Sequence, residues 1–303
     1  MSDEQALMQD ILRLKRERNA VILSHNYQRP AVQDIGDFTG DSLGLSRQAA
    51  ATEAEVIVFC GVHFMAQTAK LLSPDKTVLL PVPEAGCPMA DMVTAQQLRR
   101  FKAEHPGAPV VAYVNTTAEV KAEADICCTS ANAVEVVRSL EAEKVLFVPD
   151  RNLGRWVAGQ VPDKEVVLYQ GFCPTHELIT PDMVLEIKQA HPQAVVMAHP
   201  ECNEATLETA DAVRSTSGML RYAAESEAQE FIVVTEVGIL HPLQQQNPGK
   251  RFYPVLAAVC PNMKLTTLES VKRALQENVH QIEIDPQIAH RARRAVQRMV
   301  EIG

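Results

Sequence analysis

The sequence has no excess of basic residues. Its 29 Lys and Arg stand against 38 Asp and Glu, a formal net charge of −9. Phosphate contacts along a nucleic acid demand the opposite sign, so no nucleic-acid partner is expected. A small anionic ligand remains compatible, because local donors override the net field. No apolar run approaches the roughly 18 residues of a membrane span, so no membrane partner is expected either. Met1 to Asp10 are acidic and polar, unlike a secretory leader. Walker A and GxGxxG patterns are absent, and nothing points to ATP or a dinucleotide. No CxxC occurs, which excludes a ferredoxin-type run. Seven cysteines make an odd number without the density of a disulfide scaffold. They read as free or metal-bound thiols in a reducing, cytoplasmic setting.

What the sequence does contain is a repeat. The dipeptide Cys-Pro occurs at Cys87-Pro88, Cys173-Pro174 and Cys260-Pro261, at gaps of 86 and 87 residues. Thr94, Thr180 and Thr266 follow at a spacing of 86, as do His105-Pro106 and His191-Pro192. "APVVAYVN" is answered by "QAVVMAHPE", and "EKVLFVPD" by "QEFIVVTE". The first 86 residues show the same order more loosely, in "AVILSHNY", "AEVIVFCG" and "KTVLLPVPEAGC". Each unit reads as helix, strand, polar loop, helix, strand, loop, helix, strand, Cys-Pro. Short β-branched runs alternating with 3.6-period segments imply parallel sheets faced by helices. The expected fold is therefore α/β: three homologous three-layer α/β/α domains in a pseudo-threefold arrangement. The units span 1–86, 87–172 and 173–260. A helical extension, 261–303, is expected to pack back on the first, with a possible strand at "QIEI". No Gly/Ser- or Pro-rich linker separates the units.

Parallel sheets carry their functional loops at the strand C-termini. A threefold arrangement brings Cys87, Cys173 and Cys260 to one point. Three thiolates there suit zinc or a 4Fe-4S cluster with one open iron. The following proline stops the strand and aims the thiol. Cys60, Cys127 and Cys128 fall outside this register and read as packing residues, while Cys202 sits beside candidate site residues. The first strand of each unit ends in polar groups: His25, Asn26 and Tyr27; Tyr113 and Asn115; His199 and Glu201. His and Tyr donate to carboxylates and carbonyls, and His and Glu move protons. The next loops, "TGDSLGLS", "CCTSAN" and "RSTSGM", open helices and place Ser42, Ser130, Ser215 and Thr216 as caps or as donors to an anion. His176, three residues after Cys173, fits a fourth ligand, a proton shuttle or a cap.

These residues resemble the quinolinate synthase family over nearly the whole chain. The resemblance rests on "SHNYQ", "GDSLGLS", "CGVHFMAQTAK", "GCPMADM", "YVNTTAEVKAEADICCTSANA", "PDRNLG", "CPTHE", "AHPEC", "STSGM" and the Cys260 region. It implies three homologous α/β domains around a central 4Fe-4S cluster held by Cys87, Cys173 and Cys260, with one iron open. It implies condensation of iminoaspartate with dihydroxyacetone phosphate to quinolinate, with loss of phosphate and two waters, on the route to NAD. It puts His25, Tyr27, Ser42, Tyr113, Asn115, Ser130, His199, Glu201, Ser215 and Thr216 around substrate or product. It makes Glu201 an acid/base, and His176 a partner of Tyr27 in proton transfer and closure. Some members carry CxxCxxC at the third cysteine. Here Cys260 stands alone, so no redox switch built on that motif is expected. Two other readings share the plan of three units with one cysteine each. One is an iron-sulfur reductase of the isoprenoid-diphosphate type, and the other a non-enzymatic zinc or iron-sulfur sensor.

Overall fold

Three parallel sheets of four strands organise the chain, seen in a computed structural model that describes residues 3–302. The first sheet contains β1 (Ala20–His25), β2 (Phe38–Gly40), β3 (Val56–Cys60) and β4 (Thr77–Leu79). The second contains β5 (Val110–Tyr113), β6 (Ile126–Cys128), β7 (Lys144–Val148) and β8 (Glu165–Leu168). The third contains β9 (Val195–Ala198), β10 (Ala212–Val213), β11 (Glu230–Val234) and β12 (Arg251–Pro254). All three have the same order, with the second strand outermost, then the first, third and fourth. Each strand is followed by a helix that covers a face, so each unit is an α/β/α sandwich. The sequence pattern gives three strands per unit, and the structure adds β2, β6 and β10. These are only two or three residues long, too short for any periodicity to register.

The two central strands of each sheet are buried on both faces. β1, β3, β7 and β11 are apolar runs shielded along nearly their whole length, as parallel strands between helix layers must be. Leu23 pairs with Phe59, Val111 with Phe147, and Val196 with Ile232. Each such fully buried side chain contributes about 1.5–3 kcal/mol relative to exposure. The edge strands β8 and β12 start on exposed Glu165 and Arg251. The functional consequence lies in the strand order. The chain leaves the two central strands in opposite lateral directions, which opens a crevice at their C-terminal ends.

The C-terminal segment spans two units. Helix Leu268–Glu277 lays Leu268, Val271, Ala274 and Leu275 against Ile11, Leu14, Ile22 and Val58 of the first. Helix Pro286–Glu301 buries Ala292, Ala295, Val296 and Met299 and reaches both the first and second units. Its Arg293 donates to the Leu71 carbonyl at 2.7 Å, and Asn132 donates to the Met299 carbonyl at 3.0 Å. The segment "QIEI" contributes a single antiparallel bridge, Gln281 to Leu79, in place of a strand. Among the described residues no helix is long and apolar enough to cross a membrane.

Candidate active site

Loops from the C-terminal ends of all three sheets meet at one cavity of about 140 Å³. The loops after β1, β5 and β9 supply His25 and Tyr27, Tyr113 and Asn115, and His199 and Glu201. The helix starts after β2 and β10 add Ser42 and Thr216, and the loop after β6 adds Ser130. The loops after β4, β8 and β12 bring in Cys87, Cys173 and Cys260, and His176 follows on the short helix Pro174–Glu177. Ser215 lies outside the lining. Its hydroxyl caps helix Thr216–Glu225 by accepting from the Gly218 amide at 3.2 Å.

The two histidines at strand ends are held alike. His25 Nδ1 accepts from the Tyr27 amide at 3.1 Å, and His199 Nδ1 from the Glu201 amide at 3.3 Å. That bond leaves the ring proton on Nε2, which in His199 donates to Ser130 Oγ at 3.1 Å. Burial keeps both rings neutral, pushing His25 down to about 4 and His199 to about 3.

Glu201 is the meeting point of the polar groups. Its Oε1 accepts from the Tyr113 hydroxyl at 2.7 Å, and its Oε2 lies 2.7 Å from His176 Nδ1. Burial alone raises the pKa of such a carboxyl. The His176 ring, the bond to it, His199 and Tyr113 outweigh burial and hold Glu201 below the ordinary carboxylate range. On its other side, His176 Nε2 is 2.8 Å from the Thr235 hydroxyl, which is 2.7 Å from the Tyr27 hydroxyl. Tyr27 also meets Thr216 Oγ1 at 3.1 Å. One hydrogen-bonded chain therefore runs from Tyr27 through Thr235, His176 and Glu201 to Tyr113, joining all three sheets. Thr235 is not among the residues that the repeat singles out. Its signal was the match of "VVTE" to "FVPD", which sets Thr235 and Glu236 in register with Pro149 and Asp150.

The cysteines divide into two groups. Cys60, Cys127, Cys128 and Cys202 are buried, while Cys87, Cys173 and Cys260 are partly open and line the cavity. Burial pushes the Cys87 thiol up to about 12 and raises Cys173 and Cys260 as well. Neighbouring charge adds to this: an ionised Cys260 disfavours ionisation of Cys87, and Cys87 that of Cys173. Three thiolates here call for a bound cation. Cys173 Sγ, His176 and Glu201 form a compact triad whose ligand atoms all lie within 4.8 Å of one another. The three thiols are not so compact. Sulfurs sharing one zinc sit about 3.8 Å apart from Zn–S bonds near 2.3 Å, whereas a cluster spreads its thiolates over several irons. Three partly open thiols beside this triad make the cavity a candidate metal centre. Asn115 Oδ1, buried at the same cavity, has no hydrogen-bond partner and is free for a ligand.

Three α/β units delivering thiols, a carboxylate, imidazoles and phenols into one cavity define an α/β enzyme with a candidate metal centre. Residues 9–301 match the family described as Quinolinate synthetase A protein. A quinolinate synthase of Methanoregula boonei is 56% identical over 303 residues, covering 100% of both chains. One of Thermodesulfovibrio yellowstonii is 53% identical over 296 residues, covering 97% of this chain and 98% of its own. One of Aquifex aeolicus is 49% identical, covering 98% and 94%. The chain belongs to the quinolinate synthetase A protein family, which is a family of enzymes. The reductase and sensor readings lose their footing at this identity and coverage.

Proposed function

We propose that this enzyme joins iminoaspartate to dihydroxyacetone phosphate, releasing phosphate and two waters, and so makes quinolinate for NAD biosynthesis. The observation that carries the reading is Glu201, which touches both Tyr113 and His176 inside the cavity lined by the three open cysteines. Family membership supports the product, and the cavity supports the substrates. Two carboxylates and a phosphate need several neutral donors. The hydroxyls of Ser42 and Thr216 at helix starts and of Ser130 after β6, the Nε2–H groups of His25 and His199, and the Asn115 amide supply them. Ser215 holds the helix start that carries Thr216.

The protein groups move protons. Glu201, ionised and fixed by two hydrogen bonds, takes a proton during enolisation and imine formation and returns it on dehydration. Tyr27 and His176, joined through Thr235, serve a second proton path at the opposite side of Glu201. Cys87, Cys173 and Cys260 are the proposed ligands of a 4Fe-4S cluster with one iron free of protein. Such a cluster supplies a Lewis acid to the substrate hydroxyl that leaves as water. The units 1–86, 87–172 and 173–260 each give one strand-end polar pair and one donor hydroxyl, while Cys87 and Cys173 open the second and third units and Cys260 closes the third.

The test is anaerobic purification followed by analysis of iron, sulfide and zinc, and a quinolinate assay with the two precursors. About four irons and four sulfides per chain are expected, with quinolinate formed. One zinc without sulfide would overturn the cluster and favour the Cys173, His176 and Glu201 triad. Absence of quinolinate from a fully iron-loaded protein would overturn the reaction.

A further inference from the structure

In the loops after the third strand of each unit, Thr235 belongs to the proton path above, but the position after it does not. Two residues beyond β3, β7 and β11 stand Val62, Asp150 and Glu236, and each is the N-cap of the next helical segment. A cap is normally a small polar residue at the surface. Asp150 and Glu236 are instead completely buried. Burying a carboxylate is costly unless it has several partners, and capping alone does not require it.

The two carboxylates reach the cysteine loops by different routes. Glu236 Oε2 caps the Gly238 amide at 2.7 Å, and its Oε1 accepts from the backbone amide of Cys260 at 3.1 Å. Lys264 neutralises it, with Nζ 2.9 Å from Oε1, and also donates to the Tyr27 carbonyl at 2.5 Å. Asp150 Oδ1 caps the Leu153 amide at 2.8 Å. Its Oδ2 has no hydrogen-bond partner, so Asp150 reaches the Cys173 loop by way of the helix start it caps. A parallel bridge from Asp150 to Gly171 and a 2.8 Å bond from the Arg151 amide to the Gly171 carbonyl draw the Cys173 loop alongside. The first unit differs. Val62 offers no side-chain cap, and backbone alone approaches the Cys87 loop, through the His63 amide and the Ala85 carbonyl at 2.7 Å.

We propose that Asp150 and Glu236 are positioning residues that hold the Cys173 and Cys260 loops in metal-binding geometry, while the Cys87 loop, beside Val62, has no such carboxylate. The proposal rests on the cluster reading given above. Partners that orient ligands from behind the first layer commonly account for about 10–100-fold in metal affinity. Glu236 carries a further consequence, because its lysine also grips the Tyr27 backbone. The Cys260 loop and the Tyr27 loop are thereby fastened to one carboxylate. Gly238 is part of the same joint: a Cβ there would lie 2.7 Å from the Tyr27 backbone.

The experiment uses the anaerobic, iron-loaded full chain with Glu236→Ala, Glu236→Gln, Asp150→Ala and Asp150→Asn. Asp285→Ala removes a cap of the last helix, remote from the cysteine loops in sequence, and serves as the control. Iron and sulfide per chain are measured, then the rate of iron transfer to a ferrous chelator, with far-UV circular dichroism on each sample. The Ala variants are expected to release iron about tenfold faster than wild type or more. Glu236→Gln, with one acceptor oxygen left for two amides, and Asp150→Asn, which keeps an acceptor for the Leu153 amide, are expected to fall between. Asp285→Ala is expected to melt earlier yet hold iron as wild type does. Should the Ala variants fail to fold, the Gln and Asn variants decide. Wild-type release rates in Glu236→Gln and Asp150→Asn, or equally fast release from Asp285→Ala, would overturn the proposal alone. A wild-type chain that takes up no iron would overturn the cluster reading and this proposal with it.

Discussion

Glu201 and Tyr113 lie 88 residues apart in sequence and meet at 2.7 Å, a carboxylate of the third sheet against a phenol of the second. His176 approaches the other oxygen at 2.7 Å. Both carboxylate oxygens are thus fixed, so the group is oriented before any substrate arrives. Glu201→Gln keeps the shape and one acceptor but accepts no proton. Turnover is expected to fall about 10²–10⁴-fold, with iron content and circular dichroism unchanged. Quinolinate formation and iron measured on one preparation check this. A wild-type rate in Glu201→Gln would move the acid/base role to Tyr27 and His176.

The open cysteines and the buried ones are expected to behave differently. Cys87→Ala, Cys173→Ala and Cys260→Ala should each lose iron, sulfide and activity. Cys60→Ala, deep in the first sheet, should retain all three and lose only on the order of 1 kcal/mol of stability as a small cavity. Air exposure and chelators should inactivate the wild type, because an iron without a protein ligand is open to small molecules. Activity that survives removal of iron would contradict the ligand assignment.

The three cavity-lining cysteines were legible because the same dipeptide recurs in register, and the strand-end pairs because polar residues interrupt β-branched runs. Of the residues the sequence singles out, Ser215 caps from outside the cavity and Asn26 is buried away from its lining, while the metal, acid/base and other substrate candidates line it. What the sequence hid is mostly short or shared between units. Strands of two or three residues carry no period. Thr235 and Asp150 look like ordinary strand ends, and only the three-dimensional meeting of sheets shows that one links Tyr27 to His176 while the other faces the Cys173 loop. The terminal helix spans two units because its small residues, Ala292 and Ala295, admit close packing, a feature that composition does not assign to a partner.

Stability should fall on mild acidification. His25 and His199 are neutral and buried, with folded values pushed down to about 4 and about 3 from an ordinary 6.5. Below pH 6.5 the unfolded chain binds protons that the folded chain refuses. The stabilisation is therefore complete above 6.5 and is lost as pH falls toward the folded values. By pH 5 the loss is about 2 kcal/mol per ring. Glu201 acts in the same sense at lower pH, since its folded value also lies below the ordinary one. Anaerobic urea midpoints between pH 7.5 and 5 measure the slope. His199→Gln, which retains an N–H toward Ser130, should flatten it. An unchanged slope in that variant would show that His199 does not supply it.

Thr235 fixes the direction of the hydrogen-bonded chain. A threonine hydroxyl has one proton and accepts two bonds. In the neutral His176 ring with Nδ1–H toward the Glu201 carboxylate, Nε2 accepts, so Thr235 donates to it and accepts from Tyr27. One fully buried hydroxyl thereby sets which way Tyr27 points its proton. Thr235→Val preserves the shape and removes the link. A lost hydrogen bond of about 1–1.5 kcal/mol in the reacting geometry corresponds to roughly a tenfold fall in kcat. KM should change little, because Thr235 does not line the cavity. Thr235→Ser retains the hydroxyl and should stay within about threefold of wild type. Steady-state kinetics with both precursors separate the outcomes. Equal damage in Ser and Val would assign the role to the threonine methyl and its packing, and full activity in Val would remove Thr235 from the proton path.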